Sequence, residues 1–107
     1  MTEHPSRIVT YDALRDFIVQ LLQAAGCLDE AAKITADVLL EADLRGYGTH
    51  GLLRLPAMIR RIQSGMINPQ AKPHVIKESE ASALIDADRA LGPVGVTAAA
   101  RLAIRKA

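Results

Sequence analysis

Three glycines, Gly26, Gly46 and Gly65, each close a run in which apolar residues recur every three or four positions. Glycine ends a helix readily because it takes the left-handed conformation without a Cβ penalty, so each run is predicted to be a helix that stops there. Thr10 offers an N-cap to the first, with Asp12 near the positive end of the helix dipole. Leu14, Phe17, Ile18, Leu21, Leu22 and Ala25 follow at helical spacing, giving a helix over residues 11–25. The second starts with Asp29 as N-cap and carries the stripe Ala31, Ile34, Val38, Leu39 and Ala42, with Thr35 as a polar interruption, to about residue 45. Two such helices joined by a short glycine-containing turn form an antiparallel hairpin. The third spans residues 52–64; Pro56 is tolerated only in a first turn, so the helix proper begins near Leu55.

The period then changes. Asn68-Pro69 and Pro73 mark an irregular connection, and residues 74–78 and 82–87 read as two short strands. Glu80-Ala81 is a poor hairpin turn, which leaves the strand pairing open. Gly92-Pro93 opens a last helix with Val94, Val96, Ala99, Leu102, Ala103 and Ile104 as its apolar surface. The expected class is α+β, mainly α: a helical hairpin and a third helix, then a strand pair and a helix. Residues 1–8 read as a loose arm. The last helix runs to Ala107 without a cap, beside a strand pair too small to bury itself, which suggests a cut chain.

With 107 residues, the chain has room for one domain, or a small domain and part of another. Its only aromatics are Tyr11, Phe17 and Tyr47, so the core must be built from Ala, Leu, Ile and Val. One cysteine, Cys27, excludes an internal disulfide framework and reads as a small packing residue in a turn. The opening residues have no signal-peptide character, and no apolar run reaches membrane-spanning length. A cytoplasmic protein with no membrane partner is expected.

Charge is distributed unevenly. Residues 1–43 carry eight acids against three bases, whereas residues 44–77 carry Arg45, Arg54, Arg60, Arg61, Lys72 and Lys77 and no acid. Two readings are open: an anion-handling surface, or bases that meet the acids of residues 1–43 across the fold.

Residues 46–51, Gly-Tyr-Gly-Thr-His-Gly, match G-x-G-x-x-G literally. A dinucleotide-binding loop needs a strand before these glycines and an acid about 20 residues on. A helix precedes them here, and the first acid downstream is Glu78, so that reading fails. The same segment holds His50, with Thr49 before it and Arg54 four residues on. If the helix began at the glycine turn, His50 and Arg54 would share a face. A histidine moves a proton near neutral pH, and an arginine grips a carboxylate through two parallel hydrogen bonds. The pair suits a small 2-hydroxy or 2-keto acid; the alternative is a capping or solvated histidine beside a surface arginine. His4 and His74 have no comparable neighbours and read as structural or solvated. The histidines lack metal-ligand spacing, so no metal is expected.

Ala42-Asp43-Leu44-Arg45-Gly46, then Thr49-His50-Gly51-Leu52-Leu53-Arg54-Leu55-Pro56, then Gly65-Met66-Ile67-Asn68-Pro69, resembles the opening of the malate/L-lactate dehydrogenase family. These are NAD(P)-dependent oxidoreductases unrelated to the Rossmann-fold lactate dehydrogenases, and the resemblance spans residues 8–107. It implies that His50 is the catalytic acid/base, that the Thr49 hydroxyl assists it where the family often has serine, and that Arg54 holds the substrate carboxylate. It also implies NAD or NADP as cofactor, a small carboxylate substrate and a homodimer. Family members are considerably longer, and their cofactor-binding segments lie mostly beyond the equivalent of Ala107, so no cofactor-binding residue is assigned. Residues 1–70 would form an N-terminal helical domain carrying the histidine, and residues 71–107 the start of the nicotinamide domain. The chain alone is expected to be an inactive N-terminal fragment. The rival expectations are a helical nucleic-acid-binding module, with Arg54, Arg60 and Arg61 on its third helix, or a protein-interaction module.

Overall fold

The computed structural model describes residues 9–107. The expected loose arm and His4 lie outside these residues. The order is α1 (Tyr11–Ala24), α2 (Asp29–Leu44), two 3-10 turns (Gly48–His50 and Leu52–Arg54), α3 (Leu55–Gln63), β1 (His74–Glu78), β2 (Ala83–Asp86) and α4 (Gly92–Lys106). This is the expected mainly helical α+β architecture.

All three stop glycines act through one device. Gly26, Gly46 and Gly65 have φ of +107°, +83° and +82°. After α1, the N–H of Cys27 donates to Leu22 O and that of Gly26 to Gln23 O. Tyr47 and Gly46 repeat the pattern onto Ala42 and Asp43, and Met66 and Gly65 onto Arg61 and Ile62. Each pair satisfies carbonyls that a helix end leaves free, and each needs a residue that tolerates positive φ. At the other end of α1, the Thr10 hydroxyl accepts the N–H of Ala13 at 3.2 Å, as its N-cap position requires. Helix α2 begins one residue earlier than expected: Leu28 is its N-cap and Asp29 its first residue. The Asp29 carboxylate instead accepts from Gln23 Nε2 at 2.9 Å, joining the two helices at the turn.

The core lies between α1 and α2. Ile18, Val19 and Leu22 join Ala31, Ala32, Ala36, Leu39 and Leu40, and Leu55, Ile62, Leu91 and Val94 extend the cluster into α3 and α4. The α2 stripe differs from the expected one. Thr35 is wholly buried, whereas Val38 is 43% exposed. At 100° per residue, the buried face is rotated by roughly a quarter turn from the expected stripe. The reason is that α2 packs against both α1 and α4, so two partners choose its buried face. Phe17 is likewise 60% exposed. The Thr35 hydroxyl has no hydrogen-bond partner among the described residues. Cys27 is buried as expected, and burial pushes its thiol pKa up.

β1 and β2 pair antiparallel, Val75 opposite Ile85 and Glu78 opposite Ala83, with a register irregularity between Val75 and Lys77. The weak Glu80-Ala81 turn is closed by its flanking serines: Ser79 N–H donates to Ser82 O at 2.9 Å, and their hydroxyls meet at 2.7 Å. Every β1 residue is exposed, and in β2 only Ile85 is partly buried. Lys106 of α4 reaches back to Glu78 at 3.0 Å and to Ser79 O at 2.7 Å. Before α4, Asp88 and Arg89 both have positive φ, 57° and 56°. Left-handed backbone costs such residues about 1–2 kcal/mol each. Hydrogen bonds to residues far along the chain offset this: Asp88 Oδ2 accepts Asn68 Nδ2 at 3.2 Å and the Lys72 N–H at 3.3 Å, and the Arg89 guanidinium donates to Gly65 O at 3.1 Å. These contacts tie the connection before the strands to the one after them.

Candidate active site

Helix α2 ends at Leu44, and its Gly46 motif turns the chain back towards the hairpin. Two 3-10 turns follow in place of a continuous helix. His50 N–H donates to Tyr47 O at 2.8 Å in the first, and Arg54 N–H to Gly51 O at 3.0 Å in the second. Between them Gly51 takes φ −98° and ψ −137°, which breaks the helical path. His50 and Arg54 therefore do not share one face of a single helix, as their spacing suggested. They stand on successive turns that abut at Gly51. The helix proper starts at Leu55 with Pro56 in its first turn, as the proline required.

The interruption has a cause nine residues upstream. The Asp43 carboxylate lies beneath the turn, and its Oδ2 accepts the N–H of Leu52 at 2.9 Å. A Cβ built on Gly51 would overlap all three atoms of that carboxylate. Gly51 is buried, and a side chain there would have to push the Asp43 carboxylate off the Leu52 N–H. Within the block Ala42-Asp43-Leu44-Arg45-Gly46, no spacing singles out Asp43. The available signal was an acid in the last turn of α2, where the helix dipole disfavours it, just before a glycine-rich turn.

Thr49, His50 and Arg54 are all exposed. Their side chains have no hydrogen-bond partner among the described residues; Asp43 is engaged by Leu52, and Glu41 is held by Arg45 at 2.7 Å. Of the six bases in residues 44–77, Arg45 alone forms an ion pair among the described residues. The other five do not meet the acids of α1 and α2, which pair elsewhere: Asp37 with Arg15 at 2.6 Å and Glu30 with Arg101 at 3.2 Å. Beside the turn, Val9, Tyr11, Leu14, Leu40, Leu44 and Leu53 line an open apolar groove of about 640 Å³. His74 is exposed, with Nδ1 3.1 Å from Lys72 O and Nε2 3.9 Å from Asp86. It stands in the hairpin, away from the turn that carries His50.

The glycine turn does not fit the pyrophosphate of a dinucleotide. A carboxylate already fills the cradle at Gly51 and takes the Leu52 N–H, so a phosphate would meet a like charge there. A helix precedes the turn, in agreement with the rejection of a Rossmann loop. The His50 imidazole, the Thr49 hydroxyl and the Arg54 guanidinium are thus exposed, on two successive turns, without side-chain hydrogen-bond partners among the described residues.

The sequence profile of the malate/L-lactate dehydrogenase family matches residues 9–107, and the chain belongs to that family. It is 44% identical over 93 residues to the L-sulfolactate dehydrogenase of Methanocaldococcus jannaschii, covering 87% of this chain and 27% of that one. The structure of malate dehydrogenase from Pyrococcus horikoshii superposes with a TM-score of 0.87 at 45% identity, over 92% of this chain and 28% of the other. The Methanocaldococcus jannaschii sulfolactate dehydrogenase structure gives 0.89 at 41% identity, over 94% and 29%. The chain thus spans little more than a quarter of the length of these relatives. They are oxidoreductases acting on hydroxy acids, and nothing among them supports a nucleic-acid-binding or protein-interaction module. No described helix is long and apolar enough to cross a membrane.

Proposed function

We propose that these residues supply the proton-transfer and carboxylate-binding side of a dehydrogenase that interconverts small 2-hydroxy and 2-keto acids, with NAD or NADP as the hydride carrier. The observation that carries this reading is the pair of side chains left free on the Asp43-anchored turn. His50 and Arg54 are exposed and unpartnered among the described residues, while the nearby acids are engaged elsewhere. Relatives named for malate and sulfolactate support a substrate of this class.

In this reading Arg54 binds the substrate carboxylate through its planar fork. His50, protonated, donates to the oxygen at C2 as the keto acid is reduced; neutral, it removes the hydroxyl proton in the reverse direction. The Thr49 hydroxyl is available to orient the imidazole. A nicotinamide supplies the hydride in such chemistry, and no described residue is assigned to hold it. Residues 1–70 then form the helical domain carrying the proton donor, and residues 71–107 begin the cofactor domain of a homodimeric, cytoplasmic enzyme. The 107-residue chain by itself should not turn over NADH or NADPH with 2-keto acids.

Arg54→Lys tests the reading in the catalytically competent protein containing these residues. Lysine keeps the charge and loses the fork. Losing one charge-assisted hydrogen bond should lower kcat/KM by roughly 10- to 150-fold. The loss should be larger for 2-keto acids than for their amides, which lack two equivalent oxygens. Equal losses on acid and amide would remove Arg54 from the substrate site.

A further inference from the structure

Asp43 occupies an unfavourable place by the rules of its own helix. It lies in the last turn of α2, at the negative end of the dipole, and that turn contains no base. Its carboxylate instead serves the next helical run. The N–H groups at the start of a helical segment need acceptors, and the residue that would normally cap this one is Gly51, which has no side chain. Asp43 Oδ2 accepts the Leu52 N–H from nine positions upstream, at the positive end of the run that continues into α3. The same carboxylate fills the space over Gly51, and its Oδ1 lies 3.9 Å from a Cβ built on Gly48. Both 3-10 turns are thus folded around one partly buried acid.

The joint this acid secures matters for the site. Gly51 lies between the turn bearing His50 and the turn bearing Arg54, and an unrestrained glycine has more backbone freedom than any other residue. We infer that Asp43 is a positioning residue of the proposed active site: it clamps the Gly51 joint and so sets where His50 stands relative to Arg54. This rests on the reading of His50 and Arg54 given above. Asp43 touches neither substrate nor reacting atoms, and it acts on the reaction only through the geometry of the two turns. A misplacement of about 1 Å at a reacting group can cost roughly 10²-fold in rate, so the clamp has catalytic leverage.

The experiment combines an exchange measurement with a double-mutant cycle in the catalytically competent protein containing these residues. Asp43→Ala should speed hydrogen exchange at the Leu52 amide by about tenfold or more, while amides of Ile18 and Leu39 in the α1–α2 core keep their rates. Asp43→Asn retains an acceptor oxygen and nearly the same volume, so it should restore much of the protection and of kcat, and it provides the measurement if the alanine variant folds poorly. Asp43→Ala should lower kcat by roughly 10²-fold. Combined with His50→Ala it should add little further loss, because Asp43 works through His50. Unchanged Leu52 exchange, or a double variant that loses the full product of the two single effects, overturns the clamp alone. If His50→Ala by itself leaves kcat unchanged, the active-site reading fails, and the inference resting on it falls too.

Discussion

Two antiparallel pairs sit in this chain and are held by different means. The α1–α2 pair buries Ile18, Leu22, Ala32, Ala36 and Leu39 almost completely. The β1–β2 pair buries no residue fully, and Ile76 is 60% exposed. The helical pair is held by apolar burial, worth about 25 cal/mol per Å². The strand pair is held by its ladder, two serines at the turn, Lys106 and the packing of β2 against α4. The candidate site lies at the end of the helical pair, on a turn anchored by Asp43 to α2. Its geometry therefore depends on the well-packed part of the molecule.

Truncation separates the two pairs most strongly. Ile18→Ala should cost about 2–5 kcal/mol of unfolding free energy, because it opens a cavity in a close-packed core. Ile76→Ala should stay within about 0.5 kcal/mol, as expected of an exposed substitution. Urea titrations of both variants check this, and similar losses would mean that the hairpin is also a packed unit. Hydrogen exchange sharpens the comparison without mutation: amides of α1 and α2 should exchange more slowly than those of β1 and β2, with α4 between them. Uniform protection would erase the contrast.

A smaller effect is expected inside the helical pair itself. Thr35→Val removes a buried hydroxyl that has no partner and keeps the side-chain shape. It should raise stability by about 1 kcal/mol or more. A loss would mean that the hydroxyl is satisfied in solution.

The smallest effect concerns Cys27, whose thiol pKa is raised by burial. The thiol stays neutral in the folded chain to higher pH than in the unfolded one. Its contribution is therefore fully present below the unfolded thiol range of about pH 8.5, and it is lost as pH rises through the folded value. Stability should fall in that window, and the slope should flatten in Cys27→Ala. The same slope in both chains would assign the loss to other groups.

Much of the fold was legible because single residues enforce it locally. The glycines at 26, 46 and 65 all took the left-handed ends expected of them, Thr10 capped α1, and Pro56 marked where α3 begins. The buried face of α2 was not legible, because Thr35 and Ala36 are chosen by two packing partners and not by period alone. The site was half legible. His50 and Arg54 stood out by chemistry and by family motif, whereas the helical face drawn through them does not exist. Gly51 breaks that face under the control of Asp43, a contact between residues nine positions apart that no helical periodicity encodes. The alanine-rich last helix was placed correctly, yet Val96 and Ile104 of its apolar surface are exposed.

The proposed role of His50, moving the proton at the substrate oxygen, is read out by the pH dependence of kcat. In the catalytically competent protein containing these residues, His50→Ala should lower kcat by roughly 10²–10⁴-fold, and the limb of the pH–rate profile that belongs to the imidazole should vanish. A His50→Ala protein that keeps near wild-type kcat and the same profile would contradict this role, leaving His50 as an exposed turn residue.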